Sequence, residues 1–343
     1  MTNFAYRPKW GWGENLKIIP QINTGVDKGV LKNIIFENYL NFAPDYMSFL
    51  GEWITGTYKA FNDADKYIIL GYLFRKTVAF YYDNYITVNY ETFYKTDHFD
   101  IEKINIVEIA KDLGIPKETT RRKVSELEKS GVIKKKGKHL IIDKSAIKLV
   151  EPVNTMKNLT NVFYLIYNIC KSQNLIKYEI DKESITNAMK ANLTYTWHNY
   201  YKFIFNWLYN WKRFFNNDTE LFIIWCIPML HRANKMKKEK NRIDTDMTTW
   251  RSEIEKIETQ GINTMSLSDI TGIPRPTVTR KLKTLFKKEH LYIDKNKLIH
   301  PGTQGRFKNE MYKIQNNALN EFSEFTGKIF NQVIFNQIFS KTK

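Results

Sequence analysis

Residues 106–143 read IVEIAKDLGIPKETTRRKVSELEKSGVIKKKGKHLIID, and this stretch decides the predicted fold. Its apolar residues up to Leu113 recur every three or four positions, as they do on one face of a helix. Gly114 then gives the backbone the freedom to end that helix and turn. Pro116 suits the first turn of a new helix, where its missing N–H costs nothing. The stretch therefore predicts two short helices joined by a tight turn.

The second predicted helix has an apolar side and a cationic side. Thr120, Val124 and Leu127 repeat at helical spacing and predict its buried face. The outer face is then mostly cationic and consists of Lys117, Glu118, Arg121 and Arg122. Gly131 ends the helix, and short apolar runs flank a basic turn at residues 134–138. A β-hairpin with a basic tip is therefore expected after the second helix.

Residues 109–133, IAKDLGIPKETTRRKVSELEKSGVI, resemble the helix-turn-helix and wing entry of bacterial transcription regulators of the MarR, GntR and Crp types. In those families the second helix lies in the major groove of DNA. The resemblance implies base-reading positions and flanking backbone contacts, here Lys117, Glu118 and Arg122 for bases and Thr119 and Arg121 for the backbone. It also implies contacts to phosphates or the minor groove from the wing, at Lys135, Lys136 and Lys138. We add Lys123 to the predicted DNA-contact residues.

A second stretch, residues 271–302, repeats this motif. Seven residues of the first motif recur at a displacement of 158, as Gly272, Ile273, Pro274, Thr277, Arg280, Lys281 and Leu285. Further upstream, five residues of segment 46–63 recur at a displacement of 154: Tyr46, Phe49, Trp53, Phe61 and Asn62 reappear as Tyr200, Phe203, Trp207, Phe215 and Asn216. Two nearly equal displacements over so long a stretch predict an internal duplication.

The predicted fold is therefore mainly α with small β-hairpin wings, in two tandem winged-helix units that form a pseudo-dimer. The first unit covers residues 1–150 and carries aromatic helices followed by a winged helix at about 101–145. The second unit covers 151–343, with its winged helix at about 262–302 and a C-terminal helix at 306–340. Pro44 is expected to break two helices of the first unit.

In the second unit the residues that match the predicted DNA contacts are Arg275, Thr277, Thr279, Arg280, Lys281, Lys295 and Lys297. Pro276 stands where the first unit has an acidic residue, so that base contact has no counterpart. Residues 116–144 carry ten basic and four acidic side chains, and residues 274–308 carry ten and two. These two windows hold most of the formal net charge of +17, which indicates a polyanionic partner.

The composition is typical of a globular protein, with 343 residues, 43% hydrophobic and 26% charged. Cys170 and Cys226 lie in apolar helical runs and are expected to be buried thiols in a reducing compartment. The longest apolar run, residues 221–230, is about half the length of a membrane span and contains Pro228. A cytoplasmic, nucleoid-associated protein without a membrane segment is therefore predicted.

Two features leave alternatives open. Apolar residues recur at helical spacing between residues 307 and 338, and they predict either internal core or a surface for a homodimer. Trp53, Trp207, Trp211 and Trp225 predict either aromatic core packing or a pocket for a small-molecule effector. No cofactor is expected, and no metal-ligand cluster or catalytic motif is found, so an enzyme is not predicted.

The predicted function is a transcription regulator that binds double-stranded DNA in a sequence-specific way. Two non-identical recognition helices in one chain would read an asymmetric site, with half-sites about one helical turn apart. Such a chain would act as a monomer, or as a homodimer through the C-terminal helix. The alternative is a replication initiator of the tandem winged-helix type, and a third class uses winged helices only to bind proteins.

Overall fold

A computed structural model describes residues 22–101, 105–136, 139–149, 151–236, 245–257, 260–302 and 307–340. These residues are mainly helical, with short strands in two small antiparallel sheets, so the predicted mainly α class is confirmed. The helices are α1 (Lys28–Glu37), α2 (Tyr39–Lys59), α3 (Ala64–Asp83), α4 (Tyr90–Lys95), α5 (Ile106–Leu113), α6 (Lys117–Lys129), α7 (Lys144–Leu149), α8 (Val153–Ser172), α9 (Lys182–Ala191), α10 (Leu193–Phe214), α11 (Thr219–Met236), α12 (Met247–Lys256), α13 (Thr264–Thr271), α14 (Arg275–Lys287) and α15 (Lys308–Ser340). The strands are β1 (His98–Ile101), β2 (Ile133–Lys136), β3 (His139–Asp143), β4 (Leu291–Ile293) and β5 (Ile299–Pro301).

Each sheet is a hairpin with an additional partner on one side. The first has the order β1-β3-β2, and Ile142 of β3 pairs with Phe99 on one side and Ile133 on the other. In the second, β4 pairs with β5, and Ile262 makes a single bridge to Ile299 on the opposite side of β5. Both hairpins directly follow a pair of short helices, α5 and α6 in one case and α13 and α14 in the other.

The second hairpin begins its return strand later than expected. The sequence predicts a strand from Lys297, whereas β5 begins at Ile299. Lys297 has φ of +61°, in the left-handed region that suits a turn. The carboxylate of Asp294 accepts from the N–H groups of Asn296 and Leu298 at 2.9 and 2.8 Å, which closes this turn and delays the strand.

The long helices pack across the two halves of the chain. α2 lies against α8 and α11, and α10 lies against α15 and α3. The reason is composition, because α2 and α10 bury aromatic side chains on several faces. Trp53 of α2 meets Trp207 of α10 with ring centroids 6.0 Å apart, and Tyr46 of α2 meets Phe322 of α15 at 4.7 Å. The two halves therefore share one hydrophobic core, and the predicted division near residue 150 stays a prediction.

Pro44 does not break the helix, contrary to expectation. It lies inside α2, five residues after the start of that helix, and it is buried. The break falls earlier, at Asn38 between α1 and α2, where φ of −115° and ψ of 21° depart from helical values. The side-chain amide of Asn38 donates to the carbonyl of Ile34 at 2.8 Å and so ends α1. Pro44 is the sixth residue of α2, past the four residues whose N–H groups have no partner within the helix, so it costs α2 one internal hydrogen bond without ending it.

The apolar stripe near the C-terminus is internal core. α15 runs without a break from residue 308 to 340 and packs against α10, α1 and α9. Phe322, Phe325 and Ile329 of this helix are almost completely buried. Gly327 does not interrupt the helix, and it brings α15 close to α1, because an added Cβ would lie 3.2 Å from Leu31.

Cys170 and Cys226 are free and buried, as the sequence predicts. Burial in apolar surroundings raises the pKa of the Cys170 thiol to about 12 and also raises the pKa of Cys226. Both therefore act as small apolar side chains in α8 and α11.

Candidate nucleic-acid interface

We call α5, α6, β2 and β3 the first head, and α13, α14, β4 and β5 the second head. In each head the first short helix ends at a glycine in the left-handed conformation, Gly114 with φ of 61° and Gly272 with φ of 76°. The second helix starts directly after Pro116 or Pro274. The order of elements and the sharp turn in the first head agree with the sequence-based expectation, and the second head repeats them.

The outer face of α6 is exposed but partly neutralised. Glu118 binds Arg121 with both carboxylate oxygens, at 3.0 and 2.9 Å. Arg122 lies 3.8 Å from Glu126, which in turn binds Lys66 of α3 at 2.6 Å. The hydrogen bond from Lys66 lowers the pKa of Glu126. Of the predicted contacts on this helix, Lys117, Glu118, Arg121 and Arg122 are exposed and Thr119 is half-buried.

The outer face of α14 is cationic throughout. The helix contains no acidic residue. Its exposed cations are spread along the whole helix and are Arg275, Arg280, Lys283 and Lys287. Within the described residues, none of these four makes an ion pair. Thr279 is exposed and Thr277 half-buried, so the second head presents a face of cations and hydroxyl groups.

Lys123 and Lys281 do not belong to these faces. Each is only 8% exposed and points into the protein. Lys123 binds the carboxylate of Asp63, and Lys281 binds Asp218 and lies 3.3 Å from Glu220. We therefore remove both lysines from the predicted DNA contacts. The helical spacing indicates this buried position, because Lys123 is three residues after Thr120 and four before Leu127 and so shares their face of α6. A charged side chain on that face needs a buried partner.

The two buried lysines meet at one charged cluster. We define this cluster as Asp63, Asp65, Lys123, Lys212, Asp218, Glu220 and Lys281. Asp63 caps the start of α3. Two residues later, the carboxylate of Asp65 accepts a hydrogen bond of 3.0 Å from the hydroxyl of Thr219, the first residue of α11. The residue before Thr219 is Asp218, the partner of Lys281. Side-chain contacts, together with the short backbone links from Asp63 to Asp65 and from Asp218 to Thr219, thus join the inner side of α6 to the inner side of α14.

Lys212 connects the cluster to the first head from the other half of the chain. This α10 residue is 1% exposed, lies 3.7 Å from Asp65 and donates to the carbonyl of Leu113 at 3.2 Å. The carbonyl belongs to the last turn of α5, where a cation is favourable. Burial lowers the pKa of Lys212, and the nearby carboxylate of Asp65 acts in the opposite direction. The sequence alone did not indicate a role for Lys212.

The two β-hairpins differ in how their lysines are held. In the first hairpin, Lys134 binds Asp143 at 2.6 Å, and together with the contacts from Ser145 this lowers the pKa of that carboxyl to about 2. Lys135 and Lys136 lie in β2, and Lys138 lies outside the described residues. In the second hairpin, Lys295 and Lys297 are exposed in the turn. Neither makes an ion pair within the described part of the chain.

The same residues show neither a metal site nor a membrane-spanning helix. The described ranges contain no group of three or more His, Cys, Asp or Glu side chains positioned to hold a metal ion. They also contain no helix with the length and apolar character needed to span a membrane. No protein-family model, no curated protein and no solved structure matches this chain.

Proposed function

We propose that this protein binds double-stranded DNA through α6 and α14 and acts as a sequence-specific transcription regulator. The observation that carries the proposal is the pairing of two exposed cationic helix faces with one shared anchor, the charged cluster. Buried lysines on the inner sides of both helices end in that cluster, so the helices are fixed relative to each other. A fixed pair of cationic helices suits a rigid polyanion with two adjacent grooves.

We further propose that the two heads are winged helices derived from an internal duplication. The packing partners support this. At a displacement of about 154 residues α2 corresponds to α10, α8 to α15 and α3 to α11. Accordingly, α2 lies on α8 and α11, and α10 lies on α15 and α3. The buried pairs support it as well, because Lys123 with Asp63 has its counterpart in Lys281 with Asp218. One chain would then offer the two helices that related regulators obtain by dimerisation.

The recognition helices would divide the work between phosphates and bases. Side chains in the first two turns of a helix in the major groove reach base edges, while flanking cations hold phosphates. On α6 these positions carry Lys117, Glu118 and Arg122, and on α14 they carry Arg275 and Arg280. Because the two sets differ, the preferred site is asymmetric, with unlike half-sites about one helical turn apart.

Selection of bound fragments from the host genome tests this function. Enrichment of promoter-proximal fragments that contain one asymmetric site per protein chain is the expected result. Enrichment of iterated repeats at an origin would instead support a replication initiator. If no fragment were enriched and binding did not weaken with salt, the heads would serve protein contacts and the proposal would fail.

Arginine variants test the assignment of the recognition helices. Arg280→Ala should weaken binding to a selected site roughly five- to hundredfold, since it removes an unpaired cation that attracts phosphates together with a base contact worth about 1–3 kcal/mol. Arg122→Ala should weaken it less, roughly two- to tenfold, because Glu126 already offsets part of its charge. Lys32→Ala on α1 is the matched control, since it removes an exposed cation away from both heads. Equal binding by all three variants and the wild type would overturn the assignment.

A further inference from the structure

A small cavity lies where the second head meets α12 and α15. It has a volume of about 30 Å³, and its wall includes side chains of α11, α12 and the start of α15 together with Gly302, the residue after β5. A single water needs roughly 10–15 Å³ of such space. The cavity therefore holds two waters or one monatomic ion, and it is too small for a tetrahedral oxyanion or an organic acid.

Among the described residues, three cationic side chains and one carboxylate line this cavity. The cations are Arg232 of α11, Arg251 of α12 and Lys308 of α15, and the carboxylate is Glu255 of α12. Glu255 binds Lys308 at 2.6 Å and also accepts a hydrogen bond of 2.6 Å from the hydroxyl of Tyr312. Lys308 thus balances the charge of Glu255, and the charges of the two arginines remain.

Arg232 is the more deeply buried of these arginines. It is 5% exposed, its Nε has no hydrogen-bond partner, and it makes no ion pair within the described part of the chain. The carboxylate of Glu255 acts on it only from beyond ion-pair distance, and burial lowers its pKa. A guanidinium group nevertheless keeps its proton in proteins. Arg232 is therefore a buried charge, which is costly unless an opposite charge lies close to it.

Arg251 is held in place but is not neutralised. Its Nη2 donates to the carbonyl of Tyr312 at 3.2 Å and to the side-chain oxygen of Asn316 at 2.8 Å. Its guanidinium group also lies over the Tyr312 ring, 4.1 Å from the centroid. These partners are uncharged, so they orient the group without cancelling its charge, and its buried Nε has no partner among the described residues. The wall thus carries two cations that lack a counter-ion.

The equivalent place in the first half of the chain is uncharged. α3 corresponds to α11 at a displacement of about 154 residues, and the turn of α3 that matches Arg232 carries Thr77 and Val78. Both of these side chains are buried. Packing at this position therefore does not require an arginine, and the charge of Arg232 needs another explanation.

We propose that this cavity binds one monatomic anion, most simply chloride, between Arg232 and Arg251. The anion accepts hydrogen bonds from both guanidinium groups and offsets their charge. It thereby links α12 to α11, the helix on which α13 and α14 pack. The site is separate from the exposed faces of α6 and α14, and it does not rest on the proposed binding of DNA.

Thermal unfolding of the full chain at constant ionic strength tests the proposal. Sodium chloride replaces sodium gluconate stepwise, because the gluconate ion is too large for the cavity. The Tm should rise by roughly 2–4 °C and then level off, since an ion that binds only the folded state stabilises it further until the site is full. A Tm that stays constant, or that rises without levelling off, would overturn the proposal.

Two variants identify the residue responsible. Arg232→Met replaces a buried charge by an unbranched apolar side chain, so in gluconate it should be at least as stable as the wild type, and the chloride dependence should be lost. Arg213→Met on α10 is the matched control, because Arg213 is exposed and makes no ion pair within the described residues. It should keep the full dependence. Retention of the dependence in Arg232→Met, or its loss in Arg213→Met, would contradict the assignment.

Bromide locates the ion without any variant. Crystals of the full chain soaked in sodium bromide should show an anomalous peak between the side chains of Arg232 and Arg251, and a cavity without that peak would rule the site out. Neither measurement uses DNA, so a negative result here leaves the proposed DNA-binding function to its own test.

Discussion

On α6, Arg121 and Arg122 both lie beside glutamates, and one of these glutamates also holds Lys66 of the helical body. On α14 the equivalent surface has no carboxylate, and Arg275 and Arg280 extend from a helix whose charged side chains are all basic. On the buried sides of the two helices the order is reversed, and it is the lysine of α14 that has more carboxylate partners. Lys281 lies within ion-pair distance of two carboxylates, Asp218 and Glu220, whereas Lys123 pairs with Asp63 alone among the described residues.

This contrast separates two tasks within one scaffold. A helix with unpaired cations attracts phosphates strongly and depends steeply on salt. A helix with paired cations attracts DNA less but restrains its arginines, as Glu118 does by accepting with both oxygens from one guanidinium nitrogen of Arg121. We therefore expect α14 to supply most of the electrostatic attraction and α6 to contribute more to discrimination between sequences.

The largest expected effect concerns the buried anchors. Lys281→Met should lower the free energy of unfolding by about 2–3 kcal/mol, and Lys123→Met by about 1–2 kcal/mol. Removing one partner of a buried pair costs about 3–5 kcal/mol, and the partial exposure of the carboxylates, 22% for Asp63 and 30% for Asp218, reduces that cost. Lys281 strands two carboxylates rather than one, which explains the order. Urea denaturation measures both values.

A double variant controls this comparison. Lys281→Met combined with Asp218→Asn removes both charges of the closest pair, so it should recover part of the lost stability. If Lys123→Met proved as costly as Lys281→Met, the second carboxylate at Lys281 would not add to the anchor. If neither variant changed the unfolding free energy, the charged cluster would not anchor the helices as described.

The next effect depends on pH and on one position that differs between the heads. His290 follows α14 and is 5% exposed, and Val132 takes the equivalent place after α6. The His290 ring lies against Phe307 and Phe214, with centroids 4.5 and 5.1 Å away, and its Nδ1 has no partner among the described residues. Burial lowers the pKa of this imidazole from 6.5 to about 4.

The sign of the pH effect follows from that direction. The folded state favours the neutral ring, so the stabilisation is complete above the unfolded pKa and is lost as pH falls from about 6.5 towards about 4. Between about pH 7.5 and about pH 5, His290 should account for a loss of about 2 kcal/mol of unfolding free energy. His290→Val should remove that part of the loss, and Val132→His should add a similar dependence to the first head. An unchanged pH profile in His290→Val would contradict this.

Local patterns predicted the parts of the heads that local physics determines. Gly114 ends α5 in the left-handed conformation, and Thr120, Val124 and Leu127 form the buried side of α6, as the spacing indicated. The partners of Lys123 were not predictable in this way, because Asp63 lies sixty residues earlier and reaches α6 only through the packing of α3. Lys123 was predicted to be exposed because it is charged, although its spacing places it on the buried face of α6.

The helical body shows the same limit. The aromatic segments predicted helices correctly, but which helix packs on which depends on the complementarity of whole faces. Pro44 was misread because the sequence suggests a boundary at the proline, whereas Asn38 provides the side-chain hydrogen bond that ends α1. Lys212 was missed because an isolated lysine in an aromatic helix has no local partner, and its contacts come from Asp65 and Leu113 in the other half.

The smallest expected effect tests whether the carboxylate on α6 restrains its cations. Glu118→Gln removes the partner of Arg121, at a position where α14 carries the uncharged Pro276. It should cost less than about 1 kcal/mol of stability, since the pair is exposed. Binding to duplex DNA of random sequence should become roughly two- to fourfold tighter at low salt, and the gain should fade as salt rises. Fluorescence anisotropy measures this.

Glu183→Gln on α9 is the matched control, because it removes an exposed acidic charge outside both heads and should leave DNA affinity nearly unchanged. Unchanged or weaker binding of random duplex by Glu118→Gln would contradict the idea that Glu118 offsets cationic attraction. Carboxylates can also accept from the amino group of cytosine, so a base contact by Glu118 should appear as a loss confined to selected sites. Tighter binding to random DNA together with weaker binding to a selected site would therefore give Glu118 both roles, and α6 would then discriminate between sequences partly by lowering its affinity for all of them.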